Sequence, residues 1–251
     1  MSINPPRRRS AAYRLPGVFV LALLGGGGIY TANRAEQQHQ ATAATTLTPR
    51  ALLWLHVGSA DVVITPGAGK SIRIVRDARW VGGAPHHSMG QRRGGRIDLV
   101  DDCSGGIAVP AALFAFHDDC SVSYRVRVPA GQAVRVYSGS GDIRLTGLSG
   151  RARAATGSGD VSAAGLTGRT VLLASGSGDV SATLEQRPAS LRATTGSGDI
   201  SLRVPGGRYR IDASTGSGDR SLDRLTNDPA STHAIYARTG SGDVSIGRSD
   251  R

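Results

Sequence analysis

The chain has 251 residues, a net charge of +11, 35 glycines and only 4% aromatic residues. That composition excludes a thick core built on aromatic rings and asks for an interior of small aliphatic side chains in thin layers. Of its 30 basic residues only Lys70 is a lysine, an arginine bias that fits a GC-rich genome.

Residues 1–14 are polar and basic, with Arg7, Arg8, Arg9 and Arg14; residues 15–32 carry no charge and include the apolar run Val18 to Leu24. A basic flank followed by an apolar run reads as an uncleaved anchor or a cleaved secretory signal. The run is at the short end for a spanning helix, and Gly25 to Gly28 weaken it. No small-x-small cleavage site follows closely, since Ala41-Thr42-Ala43 lies far past the run, and no cysteine follows it as a lipid attachment point. The expectation is a transmembrane anchor helix over 15–32 and a single-pass cell-membrane protein, with secretion as the alternative. Either way the rest of the chain lies outside the cytoplasmic membrane, and no nucleic-acid partner is expected.

Residues 33–50 are polar and read as a linker. An N-terminal β part follows over 51–137, with strands around Ile72–Ile74, Ile97–Val100 and Val122–Val128 and a polar loop over 82–96. The only cysteines, Cys103 and Cys120, fall in this part. An even count in an exported chain argues for a disulfide, with two buried thiols as the alternative.

From residue 138 onward one phrase organises the sequence. Gly-Ser-Gly-Asp occurs six times, ending at Asp142, Asp160, Asp179, Asp199, Asp219 and Asp243, at steps of 18, 19, 20, 20 and 24. Val57-Gly-Ser-Ala-Asp-Val62 looks like a degenerate earlier copy. A fixed period near 20 is the mark of a repeat architecture. Each copy is flanked by period-2 runs, which are short strands. Ala152, Ala154 and Thr156 turn inward on even numbers, whereas Val161 and Ala163 do so on odd numbers, so the phase flips inside the phrase and the phrase is a corner. Glycine permits positive φ in such a corner. A second break falls at Gly147–Gly150, Gly165–Gly168 and Pro205–Gly207.

Corner, strand, corner, strand every 20 residues predicts an all-β fold, a parallel β-solenoid over 138–251; an antiparallel sandwich is the rival. One inward ladder would hold Ile143, Val161, Val180, Ile200 and Val244, and a second Leu145, Ala163, Ala182, Leu202 and Ile246. Serines 162, 181, 201, 221 and 245 would stack outside. Arg220 breaks the first ladder, which predicts a distorted coil.

The corner aspartates Asp142, Asp160, Asp179, Asp199, Asp219 and Asp243 are weak calcium candidates. The spacing is about twice that of calcium-binding nonapeptide repeats, and calcium takes six or more oxygens. The other reading is that they hydrogen-bond their own turns. The adjacent His86 and His87 make a surface pair rather than a metal site. The repeated serine has neither a nucleophile-elbow nor a phosphate-loop context, so no catalysis and no cofactor are expected.

Two stretches, Cys120-Ser-Val-Ser-Tyr-Arg-Val-Arg-Val-Pro-Ala-Gly131 and Val134-Arg-Val-Tyr-Ser-Gly-Ser-Gly-Asp142, together with the repeated Gly-Ser-Gly-Asp-Val, resemble the bacterial "putative adhesin" family of β-strand repeat proteins, found in actinobacteria and Gram-positive bacteria. The resemblance spans about residues 52–247. It implies a surface role behind an N-terminal membrane segment, and no catalytic residue carries over. The expected function is that of an envelope-anchored binding module; the alternative is a structural or signalling partner of another membrane protein in an envelope-stress system. A solenoid would gather the corner acids along one edge and Arg151, Arg153, Arg169, Arg192, Arg208 and Arg210 on a basic face. That face suits an anionic envelope polymer, lipid headgroups or another surface protein; the competing account is that arginine only keeps a flat β surface soluble.

Overall fold

The computed structural model describes residues 38–81, 84–91, 96–102 and 120–249. They belong to one compact unit, Glu36–Arg251. The anchor segment 15–32 and Cys103 lie outside the described residues. Among the described residues no helix is long and apolar enough to cross a membrane.

Among the described residues twenty strands form two ten-stranded sheets. In chain order they are β1 (Gln38–Leu47), β2 (Leu52–Val57), β3 (Asp61–Pro66), β4 (Ile72–Val81), β5 (His86–Gln91), β6 (Arg96–Asp102), β7 (Cys120–Val128), β8 (Ala133–Ser138), β9 (Ile143–Thr146) and β10 (Ala152–Thr156). They continue with β11 (Val161–Leu166), β12 (Thr170–Ser175), β13 (Val180–Leu184), β14 (Ser190–Thr195), β15 (Ile200–Val204), β16 (Arg208–Ser217), β17 (Arg220–Asp223), β18 (Thr226–Asn227), β19 (Ala234–Ser241) and β20 (Val244–Arg248).

Each repeat supplies one strand to each sheet. Sheet A runs β1-β4-β7-β3-β9-β11-β13-β15-β20-β17, and sheet B runs β18-β16-β19-β14-β12-β10-β8-β2-β6-β5. All pairings are parallel except β1 with β4, β4 with β7, and β5 with β6. The fold is all-β and mostly parallel, as a solenoid requires, and the sandwich of hairpins does not form.

One face of each sheet lines a thin lumen and the other meets solvent, so the strands of the stacked coils alternate, whereas β1, β17 and β18 at the edges do not. The expected ladders are in register: Val161 faces Ile143 and Val180, Val180 faces Ile200, and Ile200 faces Val244. All five are at most 1% exposed. Sheet B answers with Val134, Ala152, Val171, Leu191 and Ile235, also buried. Valine, leucine, isoleucine and alanine suffice because the two layers nearly touch.

The stacking order departs from chain order at both ends. The last repeat, β19/β20, lies between β14/β15 and β16/β17. The expected distorted coil is instead the end coil: β17 is exposed throughout, and Arg220 follows Val244 in the ladder. Burial explains this. Ile235, Ala237, Val244 and Ile246 need cover on both sides, whereas Arg220-Ser-Leu-Asp tolerates water and serves as a polar cap. At the other end β2/β3 sits between β6/β7 and β8/β9.

Two other expectations are corrected here. Residues 38–47 of the expected linker form β1, paired with β4 along its whole length. The expected loop over 82–96 contains β5, paired with β6.

Candidate functional site

The corners come first, because they fix what each surface displays. The residue before each phrase is a serine or threonine, buried in five of the six (Ser138, Thr156, Ser175, Thr195 and Thr239) and half-buried in Thr215 of the end coil. Its hydroxyl donates to a backbone carbonyl of the adjacent coil. Thr156 bonds Gly141 O at 2.9 Å, Ser175 bonds Gly159 O at 2.8 Å, and Thr195 bonds Gly178 O at 2.7 Å. The same oxygens accept from the second glycine of their own phrase, as Ser175 does from Gly178 N at 2.8 Å. The repeating unit is thus [Ser/Thr]-Gly-Ser-Gly-Asp, and the hydroxyl staples coil to coil. The inward parity of Thr156 was legible in the sequence; its bonding was not.

The glycines serve a different purpose from the one expected. Of the twelve in the six phrases only Gly218 and Gly242 have positive φ. In every one, however, an added Cβ would lie well under 3.0 Å from a backbone carbonyl oxygen of the neighbouring coil. The corners stack too closely for any side chain there. Positive φ belongs instead to Gly147 and Gly165 at the second break.

The aspartates form a column. Asp142 N donates to Asp61 Oδ1, Asp160 N to Asp142, Asp179 N to Asp160, Asp199 N to Asp179, Asp243 N to Asp199 and Asp219 N to Asp243, all at 2.8–2.9 Å. They therefore bond the next coil rather than their own turns, and Asp61 makes Val57–Val62 a working copy of the corner. Neighbouring carboxylates repel by about 1 kcal/mol in water, and each hydrogen bond offsets a similar amount. Beside the column runs an open trough of ≈ 610 Å³ whose lining includes Ser162, Ser181, Ser201 and Arg144. Among the described residues no group of three or more histidine, cysteine, aspartate or glutamate side chains is placed to hold a metal ion.

A buried polar cluster closes the N-terminal end. Arg76 of β4 bonds Asp101 of β6 at 2.6 Å, His87 of β5 lies 3.2 Å from the same carboxylate, and the Tyr124 hydroxyl of β7 donates to it. Burial, then the bond to Asp101, pushes the Tyr124 phenol far above its usual range. Both Asp101 oxygens are occupied, so the cluster ties four strands together rather than presenting a free base.

The outer face of sheet B carries stacked arginine and aromatic side chains. One row, in register across eight strands, reads Arg96, Trp54, Arg135, Arg153, Leu172, Arg192, Tyr236 and Asp212. At about 4.8 Å per strand it extends some 34 Å along the solenoid. Next to it lie His56, Tyr137 and, further along, Arg238. Rings and guanidinium groups are stacked: Arg96 and Arg135 flank Trp54 at 5.4 and 4.6 Å, and Arg192 and Arg238 cover Tyr236 at 4.0 and 5.1 Å. His56 and Tyr137 stack at 5.1 Å and 7°. Such stacking holds a guanidinium flat, and where no carboxylate takes the N–H edge it can meet an anion; Arg96 spends that edge on Asp98, its Nε lying 2.8 Å from Oδ1.

Of the six expected arginines, Arg153 and Arg192 fall in this row. Arg151 immediately precedes β10, Arg169 lies in the turn before β12, and Arg210 is on β16, next to the end strand β18. Arg208 is tied to Asp228 at 3.0 Å. Trp54, Arg96, Arg135, Tyr137 and Arg238 were missed. They come from outside the clean repeats or from the displaced last coil, and only strand parity would have flagged them. Tyr209 of β16 is buried and donates to Pro205 O at 2.7 Å.

A family model described as Toastrack DUF4097 matches residues 104–248, more than half of the chain. No curated protein matches. Among solved structures, a putative cell adhesion protein from Clostridium sporogenes ATCC 15579 aligns at 12% identity and TM-score 0.45, covering 84% of this chain and 100% of its own. A putative adhesin from Bacteroides fragilis NCTC 9343 aligns at 14% identity and TM-score 0.43, covering 83% and 97%.

Proposed function

We propose, for a chain that belongs to the Toastrack DUF4097 family, that it is a non-enzymatic binding module working outside the cytoplasmic membrane, anchored through residues 15–32. It holds a linear anionic envelope polymer along the arginine–aromatic row of sheet B. The observation that carries this reading is the pair of stacked clusters, Arg96–Trp54–Arg135 and Arg192–Tyr236–Arg238, set along one row through Arg153 with Arg238 beside it. Arginine that served solubility alone would gain nothing from being immobilised on rings. A polymer lying along the row meets a guanidinium at several coils, each contact weak and the sum multivalent. The attraction is screened by salt, with a Debye length of about 10 Å at 0.1 M.

The test is co-sedimentation of residues 36–251 with purified cell wall. Binding is expected at low ionic strength, falling as salt rises. Changing Arg135, Arg153, Arg192 and Arg238 together to serine is expected to abolish it, while Arg144→Ser with Arg203→Ser on sheet A leaves it intact. No binding at low ionic strength, or binding indifferent to the fourfold change, refutes the reading.

A further inference from the structure

The four sheet edges are unequal. Sheet A ends at one side in β17, four residues long, bearing Arg220 and Asp223 and followed by Arg224. Sheet B ends in the two-residue β18 and the six-residue β5. These edges are short, and β17 is charged as well, which is how natural sheets discourage further pairing.

The fourth edge is β1. It is ten residues long, Gln-His-Gln-Ala-Thr-Ala-Ala-Thr-Thr-Leu, with no acidic residue, lysine, arginine or proline. It pairs with β4 at all ten positions without a bulge. Most of its residues are exposed, and among the described residues nothing pairs with its outer side. Half of its N–H and C=O groups turn away from β4 as an unsatisfied ladder. The same end of the molecule carries exposed Leu52 (39%) and Met89 (43%), which line an apolar opening of ≈ 260 Å³ with Leu47, Leu53, Ile72 and Ile97.

We infer that β1 is a self-association edge whose partner is β1 of a second copy of this chain, paired antiparallel. An antiparallel strand is complementary to its own two-fold copy, and a strand without charge meets no repulsion from itself. The two-fold axis stands perpendicular to the sheet, so sheet A runs unbroken from one protomer into the next. Both outer faces of sheet B then look the same way, which doubles the length of the proposed binding face. Self-association stands on the edge alone and does not depend on what that face holds.

The experiment uses the full chain in detergent micelles, with mass read by light scattering at tens of micromolar. The wild type is expected to have twice the protomer mass. Ala41→Lys with Ala43→Lys is expected to be monomeric with an unchanged melting temperature, and so is Ala41→Glu with Ala43→Glu. Mixing the two variants is expected to restore the dimer. Single cysteines placed in turn from Gln40 to Thr45 are expected to cross-link between protomers only at the position nearest the two-fold axis, where a residue faces its own copy, and not at positions two or more residues from it. A monomeric wild type, a dimer that survives the double-lysine change, or oppositely charged variants that fail to pair would each overturn the inference. Persistence of the dimer in the double-lysine variant would assign it to residues 15–32 instead.

Discussion

Replacing Gly178 by alanine separates two accounts of why the corners are glycine-rich, because they differ in sign. Gly178 has no positive φ. If its role were only to supply freedom, alanine would stiffen the unfolded chain and stabilise the fold by about 0.4–1 kcal/mol. The structure argues otherwise: an added Cβ would press on the Gly159 carbonyl and on Asp160 Oδ1, well under 3.0 Å. The obstacle is largely backbone, so the coils must part. Three bonds cross that seam: Ser175 Oγ to Gly159 O at 2.8 Å, Asp179 N to Asp160 Oδ1 at 2.8 Å, and Val161 N to Asp179 O at 2.9 Å. At about 1 kcal/mol each, their loss amounts to about 3 kcal/mol. Gly58→Ala is the control, since nothing lies within 4 Å of its added Cβ and its φ is not positive; it should be neutral or slightly stabilising. The assay is chemical denaturation together with hydrogen exchange at the Val161 and Asp179 amides, because a repeat array can open locally. A Gly178→Ala protein at least as stable as wild type, with those amides still protected, would refute the close-stacking account.

Thr195→Val keeps the shape of a buried side chain but leaves Gly178 O and Gly198 N without their hydroxyl partner; it should cost about 2–6 kcal/mol at about 1–3 per group, against a negligible change for outward Thr194→Val, both read as denaturation midpoints. Tyr124 has its phenol pKa raised by burial and by Asp101, so its contribution to stability is full below the ordinary value of 10.0 and drains away as pH rises through the higher folded value. Stability should therefore fall above pH 10, and Tyr124→Phe, less stable at neutral pH, should flatten that fall; a Tyr124 that ionises with the exposed tyrosines in an ultraviolet titration would contradict this. A Cys103–Cys120 bridge would close a loop worth roughly 3 kcal/mol, so exported, unreduced protein should resist thiol labelling, and labelling of both cysteines would exclude the bridge.

How much of this was legible in the sequence depends on how local each signal is. Period 2 is local, so the ladders through Val161 and Val180 and the outward serines could be read directly. The phase flip at Gly157–Asp160 followed from the same parity. What parity cannot reveal is which coil lies next to which. Val244 packs on Ile200, and Arg220 lies beyond both, because burial of the last coil's aliphatic residues outweighs chain order. β1 went unread because Gln-His-Gln-Ala-Thr-Ala-Ala lacks alternation; with nearly every side chain exposed, its pairing rests on backbone bonds to β4. The binding row was half legible: Arg153 and Arg192 sit in regular repeats, whereas Trp54, Arg96 and Arg135 join it only through the reordered N-terminal coils.

The displaced last coil also bears on how the molecule is made. A chain made from its N-terminus delivers β14/β15, then β16/β17, and only afterwards β19/β20. Until residues 234–248 arrive, the seat between β15 and β17 is empty, and Ile200 and Leu202 have no neighbour on that side. The solenoid cannot zip up coil by coil as it emerges; its closing contacts, such as Asp243 to Asp199, wait on a segment 44 residues downstream. Completion of synthesis thereby becomes a condition of closure. A product that stops short of residue 234 leaves Ile200, Leu202 and Val204 without the strand that covers them.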